Sequence, residues 1–191
     1  METESYFEKG ITSVFFRKYL INTVGQEPFR RLLEKLSLQA RDMIEAPDPN
    51  RWYPVTLMRE LYDTVYDVFG KEYPEILFNM GRFVSDESAR GFLRYLTRLF
   101  SVTTLINRIG AFWKHYHRGG GIEAGESGRI DEKKQGFVTV YGYPTGQHGR
   151  TAMQGYIEAI LERAGARSLK IERNPEKDNS DDTFSWLLSW E

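Results

Sequence analysis

The sequence predicts an α+β protein, in which an N-terminal cluster of helices packs on a C-terminal antiparallel sheet with one helix inserted between the strands. Three observations predict this class. Apolar residues recur at helical spacing until the triplet Gly119-Gly120-Gly121, and the period changes to two after it. A helical segment that ends at Gly165 then separates the later alternating segments.

The first predicted helices begin and end at glycine and proline residues. The first helix begins near Ile11 and stops at Gly25. Pro28 suits the first turn of the second helix, because the missing N–H of proline is not needed there. After a break, Pro54 opens a strongly periodic third helix, which Gly70 ends.

Three further helices are predicted before the change of period. One covers residues 72–84, and Ser85 is predicted as the N-cap of the next, which reaches Phe100. The last carries an apolar face from Leu105 to Tyr116 and ends at the glycine triplet, which reverses the chain.

The C-terminal third is predicted to supply the strands. Phe137–Tyr141 alternates clearly, and a weaker strand is expected over residues 122–126. The segments 168–173 and 183–190 are predicted to form an antiparallel hairpin, because their connection is too short for a crossover. Between them, Asp178 and its acidic neighbours are expected to form a solvated turn, not a calcium loop.

Size and composition favour one domain over residues 1–191, with a mainly helical part over 1–118 and a sheet plus helix over 119–191. The 26 basic and 27 acidic residues nearly balance, which disfavours a generic nucleic-acid binder. The absence of cysteine excludes disulfides, thiolate metal sites and cysteine nucleophiles. We expect a cytoplasmic protein with no membrane span.

No arrangement typical of catalysis or metal binding stands out. The chain has 3 histidines, and two of them, His115 and His117, are too close in sequence to share a helix face. Both are expected to be exposed at a helix end. His148 lies in a predicted loop without a partner for general-base chemistry. We therefore expect no catalytic residue, no metal site and no enzyme activity.

Aromatic residues are the first candidates for a binding site, since the chain has 12 Phe, 11 Tyr and 4 Trp. An apolar pocket between helices and sheet is predicted, lined by Phe112, Trp113, Tyr116, Tyr156 and Trp186. The alternative is that these side chains are ordinary core.

Charged residues at a spacing of four are the second candidate. Arg82, Asp86, Arg90, Arg94 and Arg98 would form a stripe if their segment is one helix. Arg90, Arg94 and Arg98 could then contact an acidic partner. The alternative is a solvated face paired with acids elsewhere.

A succession of short motifs resembles a known family. The motifs are Gly10-Ile11, Trp52-Tyr53-Pro54, Met80-Gly81-Arg82, the run Trp113–Gly119, Gly155-Tyr156-Ile157-Glu158 and the ending Phe184–Trp190. This order is similar to bacterial paralogous proteins, expanded in myxobacteria, that belong with the vinyl-4-reductase domains. The same superfamily includes haem nitric-oxide-binding (H-NOX) domains and TRAPP transport subunits.

The resemblance implies helices against an antiparallel sheet, and the departures limit its other implications. The Tyr-x-Ser-x-Arg haem signature of H-NOX domains does not occur, so no haem and no other cofactor is expected. The cysteines that hold zinc or carry an acyl chain in relatives do not occur either.

Two functional hypotheses follow. The first is a non-enzymatic bacterial signalling module that binds a small apolar ligand between helices and sheet, without haem. The second is a ligand-free scaffold for protein–protein interaction, including a homodimer, that uses the arginine-rich helix face.

Overall fold

The α+β architecture is confirmed by a computed structural model, which describes residues 6–91, 101–178 and 180–191. The helices of the N-terminal part are α1 (Ile11–Val24), α2 (Gln26–Leu33), α3 (Leu38–Glu45), α4 (Val55–Phe69), α5 (Ile76–Arg90) and α6 (Val102–Tyr116). A further helix, α7 (Gly146–Arg163), lies between strands of the C-terminal sheet.

The main sheet is antiparallel throughout. Its strands are β4 (Gly121–Ile130), β5 (Lys133–Tyr141), β6 (Lys170–Arg173) and β7 (Phe184–Trp190), in the order β4-β5-β7-β6. The predicted terminal hairpin is confirmed, with Ile171 opposite Leu188. The β4–β5 hairpin is longer than predicted, because Asp131 and Glu132 form a tight turn with φ values of 48° and 69°.

A second, small sheet joins distant parts of the chain. Its strands are β1 (Phe7–Lys9), β2 (Trp52–Pro54) and β3 (His117–Arg118), and β1 is central and antiparallel to both neighbours. Glu8 lies opposite Tyr53 on one side and opposite His117 on the other. This sheet brings the start of the chain to the end of α6.

The predicted boundary at Ser85 is wrong. Ser85 lies inside α5 and is completely buried, so it caps no helix. The apolar face that begins with Ile76 continues past Val84 to Ala89, and this continuous burial favours one uninterrupted helix. The predicted continuation of that helix to Phe100 lies outside the described residues. Helix α6 has Ser101 as its N-cap, since the Ser101 hydroxyl accepts a hydrogen bond from the Thr104 N–H at 3.3 Å.

Within the described residues, the interior consists of two hydrophobic clusters. One is formed mainly by α1 to α5 and includes Phe16, Tyr62 and Met80. The other joins α6, α7 and the inner face of the main sheet, and it includes Trp113 and Trp186.

Helices α5 and α7 meet at two glycines. A Cβ atom on Gly81 would lie 1.8 Å from the Ala152 carbonyl oxygen, and one on Gly155 would lie 2.0 Å from the Phe78 carbonyl oxygen. The two backbones therefore approach more closely than any side chain would allow. Across the part of the chain that the structure describes, no helix is long and apolar enough to cross a membrane.

Candidate functional site

A cavity of about 90 Å³ lies where the two hydrophobic clusters meet. Side chains from β1, α1, α4, α5, α6, β3, β4 and α7 line it, together with Tyr143 from the segment after β5. An engineered cavity of about 150 Å³ holds one benzene molecule. The cavity is therefore suited, at its present size, to a molecule of a few heavy atoms.

Four of the five aromatic residues predicted for a pocket line this cavity, namely Phe112, Trp113, Tyr116 and Tyr156. Trp186 does not lie among the lining residues. Its side chain is completely buried on the inner face of β7, where its indole N–H donates to Gln154 Oε1 at 3.2 Å.

One end of the cavity carries a buried carboxyl group, that of Glu8, which is 4% exposed. The Tyr143 hydroxyl donates to Glu8 Oε2 at 2.5 Å, and the Thr12 hydroxyl also bonds this carboxyl group. Burial raises the pKa of Glu8 to about 7, although both hydrogen bonds act to lower it. Glu8 therefore changes its charge near neutral pH.

His117 is the second polar group at this end, and the prediction that it is exposed is wrong. Its ring stacks on the Trp113 indole with centroids 3.8 Å apart, and its side chain is 13% exposed. The helix ends at Tyr116 and His117 enters β3 opposite Glu8, while its position one helical turn after the buried Trp113 keeps the ring on the inner side.

The position of the imidazole proton follows from its partners. His117 Nδ1 lies 3.3 Å from the Trp113 carbonyl oxygen, which can only accept, so Nδ1 carries the proton. Nε2 is then the acceptor, and it lies 4.0 Å from Glu8 Oε1. Burial lowers the pKa of His117 to about 4, so the ring is neutral at pH 7 and forms no ion pair with Glu8.

Tyrosine hydroxyls extend the polar network. Tyr62 bonds Tyr143, and burial together with the nearby Glu8 raises the pKa of both phenols. Tyr116 and Tyr156 both bond Ser88 on α5, and burial raises the pKa of both. The phenols are therefore neutral hydrogen-bonding groups at physiological pH.

The two other histidines lie outside the cavity lining. His115 packs edge-on against Tyr116 with ring centroids 4.9 Å apart. His148 stacks on Tyr66, and its Nδ1 lies 2.8 Å from Asp63 Oδ1. In residues 6–91, 101–178 and 180–191, no group of three or more His, Asp or Glu side chains could hold a metal ion.

Part of the predicted charge stripe is directed at α7. Arg82 binds Glu158 at 2.6 Å and Glu162 at 2.7 Å, and Asp86 pairs with Arg163.

Arg90, in the last turn of α5, pairs with Glu87 at 2.5 Å and keeps a side chain that is 73% exposed. Arg94 and Arg98 lie outside the described residues. Whether these arginines contact a partner therefore stays a prediction.

The expectation of a solvated turn is wrong for Asp178, whereas Asp181 in the same connection is exposed. The Asp178 side chain is completely buried between two guanidinium groups, with Arg173 Nε at 2.8 Å and Arg150 Nη2 at 2.9 Å. Two cations make the burial of this carboxylate possible. The acidic turn is thus tied to α7 and β6.

Sequence reasoning missed the polar end of the cavity, which consists of Glu8, Thr12, Tyr62, His117 and Tyr143. One signal was present. His117 follows Trp113 by four residues, which places both on one helix face, and Trp113 was already a candidate. No local pattern marks Glu8, because its burial depends on partners more than 100 positions away.

Comparisons with known proteins bear on the fold. No protein family model and no curated protein sequence matches the chain. Solved structures do match, and H-NOX proteins are among them. The fold is that of H-NOX proteins.

Three structures illustrate the likeness. The unliganded Fe(II) H-NOX protein from K. algicida has a TM-score of 0.71 at 10% identity, with 96% of each chain covered. The H-NOX protein from S. oneidensis in the Fe(II)NO state has a TM-score of 0.69 at 13% identity, covering 96% of this chain and 99% of that one. A point mutant of T. tengcongensis H-NOX has a TM-score of 0.68 at 13% identity, covering 96% of this chain and 97% of that one.

The H-NOX fold implies a haem, and the described residues around the cavity do not fit one. Among the described lining residues the only imidazole is that of His117, and the Glu8 carboxyl group lies 4.0 Å from its Nε2. Among the described lining residues there is no Lys or Arg to meet haem propionates. The cavity is also far below the roughly 300 Å³ at which pockets for larger ligands begin.

Proposed function

We propose that this chain is a non-enzymatic sensory module of a bacterial signalling system, which binds a small, largely apolar ligand without haem. The observation that carries the proposal is the cavity between the helical cluster and the sheet cluster, lined mainly by aromatic and aliphatic side chains. The H-NOX fold supports it, because structures with this fold include an Fe(II)NO complex.

The lining explains how a ligand would be held. Aromatic and aliphatic side chains from α6 and α7 offer apolar contact, and the few polar groups lie at the Glu8 end and at Ser88. A ligand biases a conformational equilibrium only through different affinities for the two states. Helices from both hydrophobic clusters bound the cavity. A change in the spacing of these helices alters the cavity volume and therefore the affinity for a ligand.

The broader assignment is part of the proposal. We place the chain with the vinyl-4-reductase-like and TRAPP-like proteins, nearest the myxobacterial-type paralogues, and in the bacterial cytoplasm. The motif order supports this placement. The proposal includes the absence of enzyme activity, and His148, which pairs with Asp63 and stacks on Tyr66, is given a structural role.

The alternative function is a ligand-free interaction scaffold, homodimeric in one version, that uses Arg90, Arg94 and Arg98. One observation favours it, namely the large exposure of Arg90 at the end of α5. Replacing all three arginines with glutamate would then abolish association in sedimentation velocity without lowering the melting temperature. Unchanged association would contradict the scaffold.

Ligand binding in the cavity is tested by filling it. Ile109→Trp adds an indole at the lining of α6, and Ile130→Trp makes the same change at the exposed tip of β4 as a control. We expect the wild type and the control to bind xenon in NMR titrations and to carry a small ligand in native mass spectrometry after gentle purification. Ile109→Trp should lose both. Absence of both signals from the wild type would contradict the proposed function.

Haem binding is tested separately by titration of the purified protein with hemin. Because the Glu8 carboxyl group lies 4.0 Å from Nε2 of the one imidazole in the described lining, and because that lining offers no cation for the propionates, we expect no stoichiometric Soret band. A Soret band that saturates at one equivalent and disappears in His117→Ala would overturn the haem-free proposal.

A further inference from the structure

We infer that the ligand of this cavity carries a protonated amine, held between the Glu8 carboxylate and His117 Nε2, with its apolar body among the aromatic rings. This inference rests on the proposed function and specifies the chemical class of the ligand. Three independent features support it, namely the geometry of the acceptors, the balance of charge and the nature of the walls.

The acceptors are placed for one shared donor. Glu8 Oε1 and His117 Nε2 are 4.0 Å apart, which is too far for a direct hydrogen bond between them. A nitrogen atom between them can lie about 2.9 Å from both, the usual N–H···O and N–H···N distance. An ammonium group has the several N–H donors that this position requires, as the lysine side chain illustrates.

The charge balance also favours a cation. Glu8 is the only carboxyl group in the described lining, and none of the described lining residues is Lys or Arg. An ionised carboxylate in an apolar cavity is costly unless a cation compensates it. Burial raises the pKa of Glu8 to about 7 in the protein alone, which fits a carboxylate without a cationic partner.

The walls suit the same ligand class. The aromatic side chains of Trp113, Tyr143, Tyr62 and Phe112 line the cavity. The π-face of an aromatic ring attracts an ammonium group. A carboxylate ligand would bind poorly, because the Glu8 carboxylate and the negative π-faces of aromatic rings repel an anion. An alcohol fits the acceptors but gains nothing from the charge.

Size selects the probes for a test. A cavity of about 90 Å³ accepts a body of a few carbon atoms, so the probes are isobutylamine, isobutanol and isobutyrate, which share one apolar shape. Calorimetric titrations of the wild type at pH 8 should give an affinity for isobutylamine at least tenfold above that for isobutanol. Isobutyrate should not bind.

Variants assign the preference to Glu8. Glu8→Gln keeps an acceptor for the Tyr143 hydroxyl and removes the charge, so the amine should lose at least tenfold in affinity, and isobutanol less than threefold. Glu123→Gln, which removes an exposed carboxylate on β4, should leave all three affinities unchanged.

The outcomes separate this inference from the proposed function. If the wild type binds xenon but binds isobutanol as tightly as isobutylamine, or prefers isobutyrate, the amine inference is wrong and the binding cavity stands. If Glu8→Gln fails to fold, the ranking of the three probes in the wild type still decides. If xenon and all three probes fail to bind, both proposals are wrong.

Discussion

Glu8 and His117 lie opposite each other in the small sheet, and burial shifts their proton affinities in opposite directions. For Glu8, burial makes the neutral, protonated form the stable one up to a pKa of about 7, against an ordinary value of 4.5. For His117, burial favours the neutral ring, which has lost its proton, and lowers the pKa from 6.5 to about 4. The polar end of the cavity therefore contains two neutral groups in mildly acidic solution.

These shifts act on stability with opposite signs. The contribution of Glu8 to the free energy of unfolding is complete below pH 4.5 and is lost as the pH rises through 7. The reason is that Glu8 ionises at a lower pH in the unfolded chain than in the folded protein. The His117 contribution is complete above pH 6.5 and is lost as the pH falls through 4, because the unfolded chain takes up the proton first. Between pH 4.5 and 6.5 the two slopes cancel in large part.

Removing the Glu8 carboxyl group should reveal how His117 alone makes the free energy of unfolding depend on pH. In Glu8→Gln, the free energy of unfolding should rise by on the order of 2–3 kcal/mol from pH 4.5 to 6.5, whereas the wild type stays nearly level. Urea unfolding at half-unit pH steps measures both curves, and Glu123→Gln should follow the wild type. The groups that surround Glu8 are Thr12, Tyr62, His117, Tyr143 and Tyr156, and His117 alone among them titrates in this range. Parallel curves for Glu8→Gln and the wild type would show that the proton affinity of Glu8 is unshifted.

At the scale of elements, the contact of α5 with α7 depends on two glycines. Each glycine backbone lies against a carbonyl oxygen of the other helix, and Arg82 and Arg163 form ion pairs across the same contact. These ion pairs are partly exposed and contribute little. The close approach of the backbones is therefore the main determinant of the spacing between α5 and α7.

Gly81→Ala and Gly155→Ala should each lower the free energy of unfolding by about 2 kcal/mol or more, since a Cβ atom at either site overlaps a carbonyl oxygen. The gain in helix propensity, about 1 kcal/mol for glycine to alanine, is too small to compensate. Gly110→Ala inside α6 is the control, because its Cβ atom would lie 3.7 Å from the nearest atom, the Ile122 carbonyl oxygen. It should leave the free energy of unfolding unchanged or raise it by up to about 1 kcal/mol, the helix-propensity gain. Equal stability of all three variants in chemical denaturation would contradict the close contact.

At the scale of the whole molecule, the cavity has one tight wall and one wall built from large side chains. Helices α5 and α7 are held together by the glycine contact, whereas α6 contributes Leu105, Ile109 and Phe112 to the lining. Large side chains can rearrange with a ligand, but a backbone contact cannot. A bound ligand should therefore displace α6 and leave the α5–α7 pair in place.

Spin labels can measure this movement, because the chain contains no native cysteine. One label pair joins the exposed positions Lys114→Cys on α6 and Gln147→Cys on α7, and the control pair joins Asn79→Cys on α5 with Gln147→Cys. Saturating isobutylamine should change the first distance by about 1–2 Å, the usual size of helix shifts, and leave the second constant. An unchanged first distance, or equal changes in both, would argue against α6 as the responsive element.

The success of sequence-based prediction followed the range of the interactions involved. The limits of α1 and α4 depend on nearby residues such as Gly25 and Pro54, and the terminal hairpin depends on a short connection, so local patterns indicated them. The small sheet was missed, because strands of two or three residues are too short to show a period and pair only with distant partners.

The candidate site shows the same limit. Phe112, Trp113 and Tyr116 were predicted for a pocket because they cluster on one helix, and they line the cavity. Ser85 and His117 were misplaced, since a polar residue looks like a cap or a surface group until its tertiary surroundings are known. Cavity volume depends on how closely helices pack, which no local pattern encodes.

The order of the lining residues along the chain has a consequence for synthesis of the protein. Glu8 leaves the ribosome early, whereas its partners His117 and Tyr143 follow more than 100 residues later. At roughly 5–20 residues per second, the Glu8 carboxylate remains hydrated for several seconds before its neighbours exist. A cavity with this lining thus cannot form until α7 has been translated, so it assembles only after the helices and strands that enclose it exist.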